Sequence, residues 1–486
     1  MNDTLEPLLF EISRAGRLGV EMPDCDVPSV SASDLLPADA LRRDLPLPEL
    51  SEPEVIRHYT LLSQRNYSID SGFYPLGSCT MKYNPKINEE VARLPGFARL
   101  HPLLPDTAAQ GTLEVMHEMQ HILAEIAGMD AVSLQPAAGA HGELLGLMLI
   151  KAYHDDHGQA HRDTILVPEA AHGTNPASAA RCGYKTATVK SDGRGRVDLA
   201  HLKSLLSDNV AGLMLTNPNT LGLFEDDIAE ICALIHHTGG LVYCDGANMN
   251  ALVGRARPGD MGFDVMHFNL HKTFSSPHGG GGPGSGPVAV KGILEPYLPV
   301  PQVVHGGEGF RLDFDRPKSV GKIHGYFGSF LCILRAYAYI SYYGRERLAQ
   351  VAENAVLNAN YVRVGLQNAF DVAFNEMCMH ECVFTARRQQ RAHGIKALDI
   401  AKRLMDFGYH PPTIYFPLIV AEALMVEPTE TESKETLDKF IAAMCRIAED
   451  IEQDPEIVKS APHFTPVRKL DEAKAARSPC LCWTAA

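Results

Sequence analysis

Residues 240–272, GLVYCDGANMNALVGRARPGDMGFDVMHFNLHK, contain the pattern that decides the fold. Two short apolar runs, GLVYCDG (240–246) and FDVMHFNLH (263–271), are typical of buried strands in a parallel sheet. In such sheets ligands bind outside the carboxyl ends of the strands. Asp245 closes the first run and Lys272 directly follows the second. These two side chains are therefore the first candidates for a functional site.

Similar runs extend the pattern in both directions along the chain. They are DTILVP (163–168), VAGLMLTNP (210–218) and GPVAVK (286–291), and helical stretches such as DIAEICALIHHTG lie between them. This alternation predicts an α/β domain with a mainly parallel sheet. Upstream, TLEVMHEMQHILAEIAG (112–128) has helical spacing and is expected to end at Gly128.

Composition and predicted secondary structure change twice along the chain, which predicts three parts. Residues 1–90 are rich in proline and predict an extended arm, with one helix that begins at a Ser51–Glu54 capping box. Residues 91–355 form the predicted large α/β domain. Residues 356–486 contain a strand-like segment, HECVFTA, and a helical one, IKALDIAKRLMDFG. They predict a smaller α+β domain. The proline-rich arm fits either contact with a partner or packing on its own chain.

Composition narrows the classes of function. The chain has 486 residues and a net charge of −15, which argues against a nucleic-acid or anionic-membrane surface. Its 11 cysteines show neither metal-ligand pairing nor a disulfide framework, and the N-terminus lacks the features of a signal peptide. The expected location is the cytoplasm.

A glycine run follows Lys272 in NLHKTFSSPHGGGGPGSGP (269–287). A phosphate-binding loop would need Gly-Lys-Ser/Thr at the start of a helix, and a dinucleotide-binding motif would need a helix after its glycines. Here the glycines lead into the strand-like GPVAVK instead. The run is better explained as a flexible segment that lets the backbone pass close to a ligand beside the lysine.

Lys272 has two interpretations by position alone: it either faces water past the strand end or forms a Schiff base with an aldehyde. Three other features favour the second. Asp245 stands where a carboxylate could keep a pyridine nitrogen protonated. His172 follows the strand TILVP and could lie flat on a planar ring. The small residues of QPAAGAHGE (135–143) precede a helix whose N-terminus could bind phosphate.

These residues lie in motifs by which the chain resembles the glycine cleavage system P-protein (glycine decarboxylase) family, in particular subunit 2 of its two-subunit form. The resemblance runs nearly end to end. Its motifs are GFYPLGSCTMKYNPK (72–86), QPAAGAHGE, AHGTNPASA (171–179), LTNPNTLGLFE (215–225), DGANMNA (245–251), the Lys272 segment, RPKSVGKIHGYFG (316–328) and MVEPTETESKETLD (425–438). The tail SPCLCWTAA departs from the family's usual ending and is given no role.

The resemblance implies a fold-type I, aminotransferase-like enzyme that uses pyridoxal phosphate. Lys272 would carry the cofactor, Asp245 would pair with the ring nitrogen and His172 would stack on the ring. Further cofactor contacts are implied for Gly139, Ala140, Asn217 and His271, and a substrate entrance is implied for Tyr74, Ser78, Cys79 and Thr80.

The activity implied by the resemblance is decarboxylation of glycine, with transfer of the aminomethyl group to the lipoyl group of the H-protein and release of carbon dioxide. A partner subunit 1 is implied, in an α2β2 assembly. No metal is implied.

Three alternatives stay open on the sequence. Another enzyme of the same fold, an aminotransferase or a cysteine desulfurase, would share Lys272, Asp245 and His172, and a desulfurase would use Cys79 as its thiol. A non-catalytic supporting subunit would not need the lysine, aspartate and histidine set. A metal site at His154, His157 and His161 is less favoured than a solvated turn.

Overall fold

A seven-stranded sheet forms the centre of the fold, and the computed structural model describes residues 6–42, 45–278, 284–307 and 309–482. The strands of these residues are β1 (Ala131–Ser133), β2 (Thr164–Pro168), β3 (Lys185–Val189), β4 (Val210–Thr216), β5 (Leu241–Gly246), β6 (Val265–Phe268), β7 (Val288–Val290), β8 (Gln302–Gly306), β9 (Gly309–Asp313), β10 (Asp371–Val372), β11 (Cys382–Thr385), β12 (Thr413–Ile414) and β13 (Ala423–Val426).

The α-helices are α1 (Leu9–Ile12), α2 (Ala32–Leu35), α3 (Glu52–Arg65), α4 (Lys86–Ala92), α5 (Pro95–Ala98), α6 (Gln110–Ala127), α7 (Gly139–Asp156), α8 (Thr174–Arg181), α9 (Leu199–Leu205), α10 (Ile228–His237), α11 (Phe330–Leu366), α12 (Arg387–His393), α13 (Ala397–Met405), α14 (Lys434–Gln453), α15 (Pro455–Lys459) and α16 (Glu472–Arg477). No described helix is both long enough and apolar enough to cross a bilayer.

The strand order of the large sheet is β1-β7-β6-β5-β4-β2-β3. The pairs β2–β3, β2–β4, β4–β5 and β5–β6 are parallel, and β7 runs antiparallel to its two neighbours. This confirms the predicted α/β class with a mainly parallel sheet. Strand β4 is buried along its whole length, as expected for a strand covered on both faces.

Helix α7 packs unusually close to the sheet because its inner face carries glycine. A Cβ on Gly146 would lie 2.2 Å from a ring carbon of Tyr243 on β5, and one on Gly142 would lie 2.7 Å from the Cβ of His267 on β6. Any larger residue would push the helix outward. This close approach sets the position of the helix N-terminus beside the strand ends.

Residues 72–463 form one compact unit, which holds both larger sheets. Its second sheet is antiparallel, in the order β10-β11-β13-β12, and packs on α11, α13 and α14 through Phe384, Leu424, Phe440 and Ile447. Residues 1–71 and 464–486 form the other unit, in which α3 begins at the predicted capping box: Ser51 N–H donates to Glu54 Oε2 over 2.9 Å.

The predicted divisions at residues 90 and 355 stay predictions. Residue 355 falls inside α11, a 37-residue helix whose only non-helical position is Gly344, with φ of 65°. The predicted stop of α6 is confirmed, since Gly128 adopts the left-handed conformation that ends the helix. Part of the glycine run (279–283) and the last residues of the tail (483–486) lie outside the described residues.

Candidate active site

Three neighbouring parallel strands bring the predicted site residues to one edge of the sheet. Asp245 on β5 is in register with Thr216 on β4 and with His267 on β6. After β6 the chain turns, and the N–H of Lys272 donates to the carbonyl oxygen of Asn269 over 3.0 Å. The turn keeps Lys272 at the carboxyl edge of the sheet, close to the strand that carries Asp245.

Asp245 is buried, yet its environment favours the ionised form. Asn175 Nδ2 donates to Oδ2 over 3.1 Å, the N–H of Ala247 donates to Oδ1 over 3.0 Å, and His267 Nε2 lies 3.4 Å from Oδ1. Burial opposes ionisation, but His267, these two donors and the Lys272 ammonium outweigh it, so the pKa of Asp245 is lowered. The buried side of the site therefore favours a negative charge on Asp245.

The positive charge of Lys272 affects the pKa values of many surrounding groups. In each of them burial is the largest influence on the pKa, and the Lys272 ammonium is a further one. The groups are Asp245, His172, His267, His271, His278, Cys79, His380, Glu381 and Glu427. This shared field indicates that the lysine, the aspartate and the histidine predicted from the sequence surround one site.

The N-terminus of α7 lies against the Lys272 turn. A Cβ on Gly139 would lie 2.3 Å from Asn269 Oδ1, so only glycine fits there without a shift. Helix α7 begins at Gly139, and no side chain caps its first turn. The unpaired N–H groups of such a turn form an anion site, and Ala140 belongs to the same turn.

Three further predicted contacts surround this edge. His172 follows β2 and its pKa is lowered, first by burial, with Asp245 opposing the shift. Asn217 follows β4, and its Oδ1 accepts from the N–H of Glu225 over 3.0 Å. The ring of His271 lies 5.4 Å from that of His278, and burial, with the charges of His278 and Lys272, lowers the pKa of His271 to about 3.

The predicted entrance segment is held by two buried glutamates. The N–H of Ser78 donates to Glu381 Oε2 over 2.8 Å, and the N–H of Thr80 donates to Glu427 Oε2 over 2.9 Å. Ser78 and Thr80 both adopt positive φ, of 61° and 46°. Because such backbone is unfavourable for these residues, the two acceptors are needed to hold it.

The remaining entrance residues lie on the same segment. Tyr74 stacks on His410 with ring centroids 4.0 Å apart. Burial raises the pKa of the Cys79 thiol, which the Lys272 ammonium only partly opposes. Cys79 is thus a neutral thiol at neutral pH, unlike the thiolate that a nucleophilic cysteine requires.

Glu427 makes the stability of the protein depend on pH. Burial raises its pKa to about 7, against the donors of Thr80, so the folded protein holds this proton more tightly than the unfolded chain does. The associated stability is complete below about pH 4.5 and is lost as the pH rises through about 7. We expect Glu427→Gln to remove this loss, so that between pH 4.5 and 8 the variant gains about 2–3 kcal/mol relative to the wild type.

Urea unfolding at a series of pH values measures this difference. Glu449→Gln, at an exposed position, is the control and should change the free energy of unfolding by less than about 0.5 kcal/mol at any pH. A constant difference between the wild type and Glu427→Gln across the range would contradict the assignment.

A buried ion pair fastens the turn of Lys272 to two distant segments. Lys82 Nζ lies 2.6 Å from Glu430 Oε1 and donates to the carbonyl oxygen of Thr273 over 2.7 Å. Asn84 Nδ2 also donates to the carbonyl oxygen of Ser275 over 3.1 Å. The residue next to Lys272 is therefore fixed by the segment that follows the entrance loop.

We expect Lys82→Met to lower the free energy of unfolding by about 3–5 kcal/mol, because it leaves the Glu430 carboxylate buried without its cation. Denaturant unfolding of the purified chain measures the loss. Lys434→Met is the matched control: Lys434 pairs with Asp438 on the exposed face of α14, and its loss should cost about 0.5 kcal/mol or less. Equal losses in the two variants would refute the role of the buried pair.

Two histidines of the cluster considered for a metal have backbone hydrogen-bond partners of their own. His154 Nε2 donates to the carbonyl oxygen of Ala211 over 2.9 Å, and His157 Nδ1 donates to that of Tyr153 over 2.7 Å. Among the described residues, the group whose ligand atoms do come within reach of one ion is His380, Glu381 and Glu427. Glu381 and Glu427 already accept from the entrance segment, and the Lys272 ammonium opposes a cation there.

Several residues of the candidate site were not predicted from the sequence. His267 precedes Lys272 by five residues and faces Asp245 in register, so the strand pattern itself could have identified it. Asn175 and Glu143 lie in the quoted motifs AHGTNPASA and QPAAGAHGE. Glu381 and Glu427 meet the entrance segment from more than 300 positions away, and only the folded chain reveals that contact.

Comparisons with known proteins agree with this arrangement. Residues 32–306 match the family described as "Glycine cleavage system P-protein", and residues 351–463 match "Glycine dehydrogenase, C-terminal domain". A "Probable glycine dehydrogenase (decarboxylating) subunit 2" of Exiguobacterium sibiricum is 60% identical over 98% of this chain and 97% of its own length. A protein with the same description from Halalkalibacterium halodurans is 58% identical over 98% of each chain.

Solved structures share the fold at low identity. A crystal structure of glycine decarboxylase (P-protein) of the glycine cleavage system, in inhibitor-bound form, has a TM-score of 0.73 at 22% identity over 86% of this chain and 95% of that one. The cysteine desulfurase CsdA of Escherichia coli has a TM-score of 0.61 at 16% identity over 80% of this chain and 98% of that one. The long match to the family and the full-length relatives establish that this chain belongs to the glycine cleavage system P-protein family.

Proposed function

We propose that the chain is the pyridoxal phosphate-binding subunit of a glycine decarboxylase. It removes the carboxyl group of glycine as carbon dioxide and transfers the aminomethyl group to the lipoyl group of an H-protein. The observation that carries the proposal is the buried Asp245 at the carboxyl edge of a parallel sheet, with its pKa lowered against the effect of burial and with Lys272 after the neighbouring strand. The full-length relatives described as decarboxylating glycine dehydrogenase subunit 2 support the same reaction.

The residues present fit pyridoxal phosphate. Around the Lys272 turn, buried polar atoms of the described protein have no hydrogen-bond partner of their own: Asn217 Nδ2, Thr273 Oγ1, His278 Nε2 and Ser285 Oγ. Buried groups of this kind usually require a partner. The uncapped first turn of α7 offers donors for a phosphate beside them.

Each predicted residue has a distinct task in this proposal. Lys272 would hold the aldehyde, Asp245 the ring nitrogen, and His172 the face of the ring; the α7 turn at Gly139 and Ala140 would hold the phosphate. His271 and Asn217 would border the ring. When bound, the cofactor supplies an electron sink for the pair left as the carboxylate departs from glycine. Asp245 would keep a proton on the ring nitrogen, because its three polar neighbours favour its ionised form.

The entrance segment would select the substrates. Ser78, Cys79 and Thr80 are fixed by Glu381 and Glu427, so this border of the site is rigid before any ligand arrives. The neutral Cys79 thiol disfavours a desulfurase, which needs a thiolate nucleophile. The proposed transfer requires a site that is small enough for glycine and open to a lipoyl arm.

We further propose a partner subunit 1 in an α2β2 assembly, in the cytoplasm. Support comes from the description "subunit 2" of the relatives and from the N-terminal arm. The arm exposes large apolar side chains, among them Leu18, Val20 and Met22 at 72%, 73% and 81%. Several large apolar side chains exposed on one segment suit a surface that binds another protein.

Exchange of labelled carbon dioxide into the carboxyl group of glycine tests the function. The cofactor-loaded chain, its partner subunit and a lipoylated H-protein should catalyse this exchange, and omission of the H-protein should abolish most of it. Sulfide release from cysteine in place of exchange would favour the desulfurase alternative. A complete absence of exchange from a cofactor-loaded assembly would refute the proposal.

A further inference from the structure

Glu143 is a buried carboxyl group beside the site to which no role has yet been given. It lies on the second turn of α7 and is 4% exposed. Its Oε1 is 2.7 Å from Thr174 Oγ1, and its Oε2 accepts from Asn175 Nδ2 over 3.1 Å and from Ser178 Oγ over 3.3 Å. Three polar groups of α8 therefore surround it.

Glu143 joins the two residues that would hold the cofactor ring. On one side, Thr174 Oγ1 is also 2.8 Å from His172 Nδ1. On the other side, Asn175 Nδ2 also donates to Asp245 Oδ2 over 3.1 Å. One unbroken chain of hydrogen bonds thus runs from His172 through Thr174, Glu143 and Asn175 to Asp245.

The hydroxyl of Thr174 has one hydrogen and two possible acceptors, so a proton that moves along this chain connects two arrangements. When Glu143 is ionised, the hydroxyl donates to it and can accept from an N–H at His172 Nδ1. When Glu143 is protonated, its O–H donates to Thr174 and the hydroxyl donates to His172 Nδ1. In the second arrangement Nδ1 also accepts from the N–H of Thr174, which lies 3.3 Å away.

We propose that Glu143 is a positioning residue that stores a proton and exchanges it with the site through Thr174 and His172. A proton from the exposed side adds to His172 Nε2, and the hydrogen on Nδ1 passes to Thr174 Oγ1. The hydrogen that Thr174 already carried passes to Glu143 Oε1. One proton enters and one carboxylate is neutralised, while the imidazole changes tautomer and stays uncharged.

The surroundings of Glu143 place this exchange near neutral pH. Burial and the charge of Asp245 raise the pKa of Glu143 to about 7, although Thr174, Asn175 and Ser178 oppose the shift. Partial burial of the ring lowers the pKa of His172, which favours its neutral form near neutral pH. The other titratable groups that face this cluster are Tyr243 and Asp245 from β5, His267 from β6 and Lys272 from the turn after it.

The proposal deepens the proposed function, on which its use in the reaction rests. A lipoyl thiolate released in the proposed transfer takes up one proton to become a thiol, and Glu143 is a buried proton store beside the site. The hydrogen-bond chain itself consists only of this chain's own residues. It can therefore be tested without cofactor and without turnover.

The test is ¹⁵N NMR of the histidine side chains in the full-length chain without cofactor, between pH 6 and 8. His172→Gln identifies the signals of His172. In the wild type, Nδ1 should bear hydrogen at pH 8 and lose it as the pH falls through about 7, while Nε2 gains it. Glu143→Gln should leave the tautomer of His172 unchanged across this range, since the amide does not titrate. Thr174→Val, which removes the linking hydroxyl, should do the same.

Glu432→Gln is the matched control, because burial also raises the pKa of Glu432 to about 7 and Glu432 lies outside this chain of hydrogen bonds. It should leave the tautomer change of the wild type intact. A wild-type His172 with one tautomer throughout, or a Glu143→Gln protein with the wild-type change, would overturn the proposal. If Glu143→Gln does not fold, Thr174→Val decides in the same way. The carbon dioxide exchange assay reports on the proposed function separately.

Discussion

Lys272→Ala is expected to lower turnover by about 10³-fold or more and to abolish the near-visible absorbance of the lysine-bound cofactor. The charge of Lys272 influences the pKa values of Asp245, His172, Cys79, Glu381 and Glu427. Without its amine the cofactor has no covalent attachment and the site loses its central cation. Absorbance spectra and the carbon dioxide exchange rate measure the two effects.

Lys203→Ala is the control for this variant. Lys203 pairs with Glu230 on the exposed surface, 2.8 Å away, and its removal should leave absorbance and exchange unchanged. A Lys272→Ala protein that keeps both its near-visible absorbance and its exchange activity would show that another residue carries the cofactor.

Asp245→Asn is expected to lower the exchange rate by about 10²–10³-fold, while the protein retains part of its cofactor. The neutral amide no longer stabilises a proton on the ring nitrogen, so the electron sink weakens. Lys272 and the α7 turn remain in place, which is why binding should survive in part. The expected signature is a large fall in rate at a cofactor content that absorbance shows to be substantial.

Asp226→Asn serves as the control for charge removal alone. Asp226 is exposed and lies 3.2 Å from Arg194 Nη2, and its neutralisation should leave the exchange rate within about twofold of the wild type. Near-normal exchange by Asp245→Asn would mean that protonation of the ring does not depend on Asp245.

The sheet and the strand-end residues could be predicted from the sequence because burial leaves a direct pattern. The runs that became β2, β4, β5, β6 and β7 are nearly all apolar. Strand β3 (Lys185–Val189) was missed because it is one of the two edge strands of the sheet, and only Val189 is fully buried.

The supporting polar contacts could not be predicted from the sequence in the same way. Glu427 and Thr80 are 347 positions apart, and no local pattern links them. In the sequence Lys82 is only one residue of a longer motif. In the structure its Nζ donates to the carbonyl oxygen of Thr273 and holds the Lys272 turn. Such pairs depend on how the antiparallel sheet packs beside the parallel one, and sequence periodicity carries no information on that packing.

Reduction with borohydride, followed by peptide mass spectrometry, tests the central claim most directly. The full-length chain is incubated with pyridoxal phosphate, reduced and digested. The account predicts that the mass of one reduced cofactor appears on the peptide that contains Lys272, and that Lys272→Ala shows no such adduct. An adduct on another lysine, with none at Lys272, would contradict it.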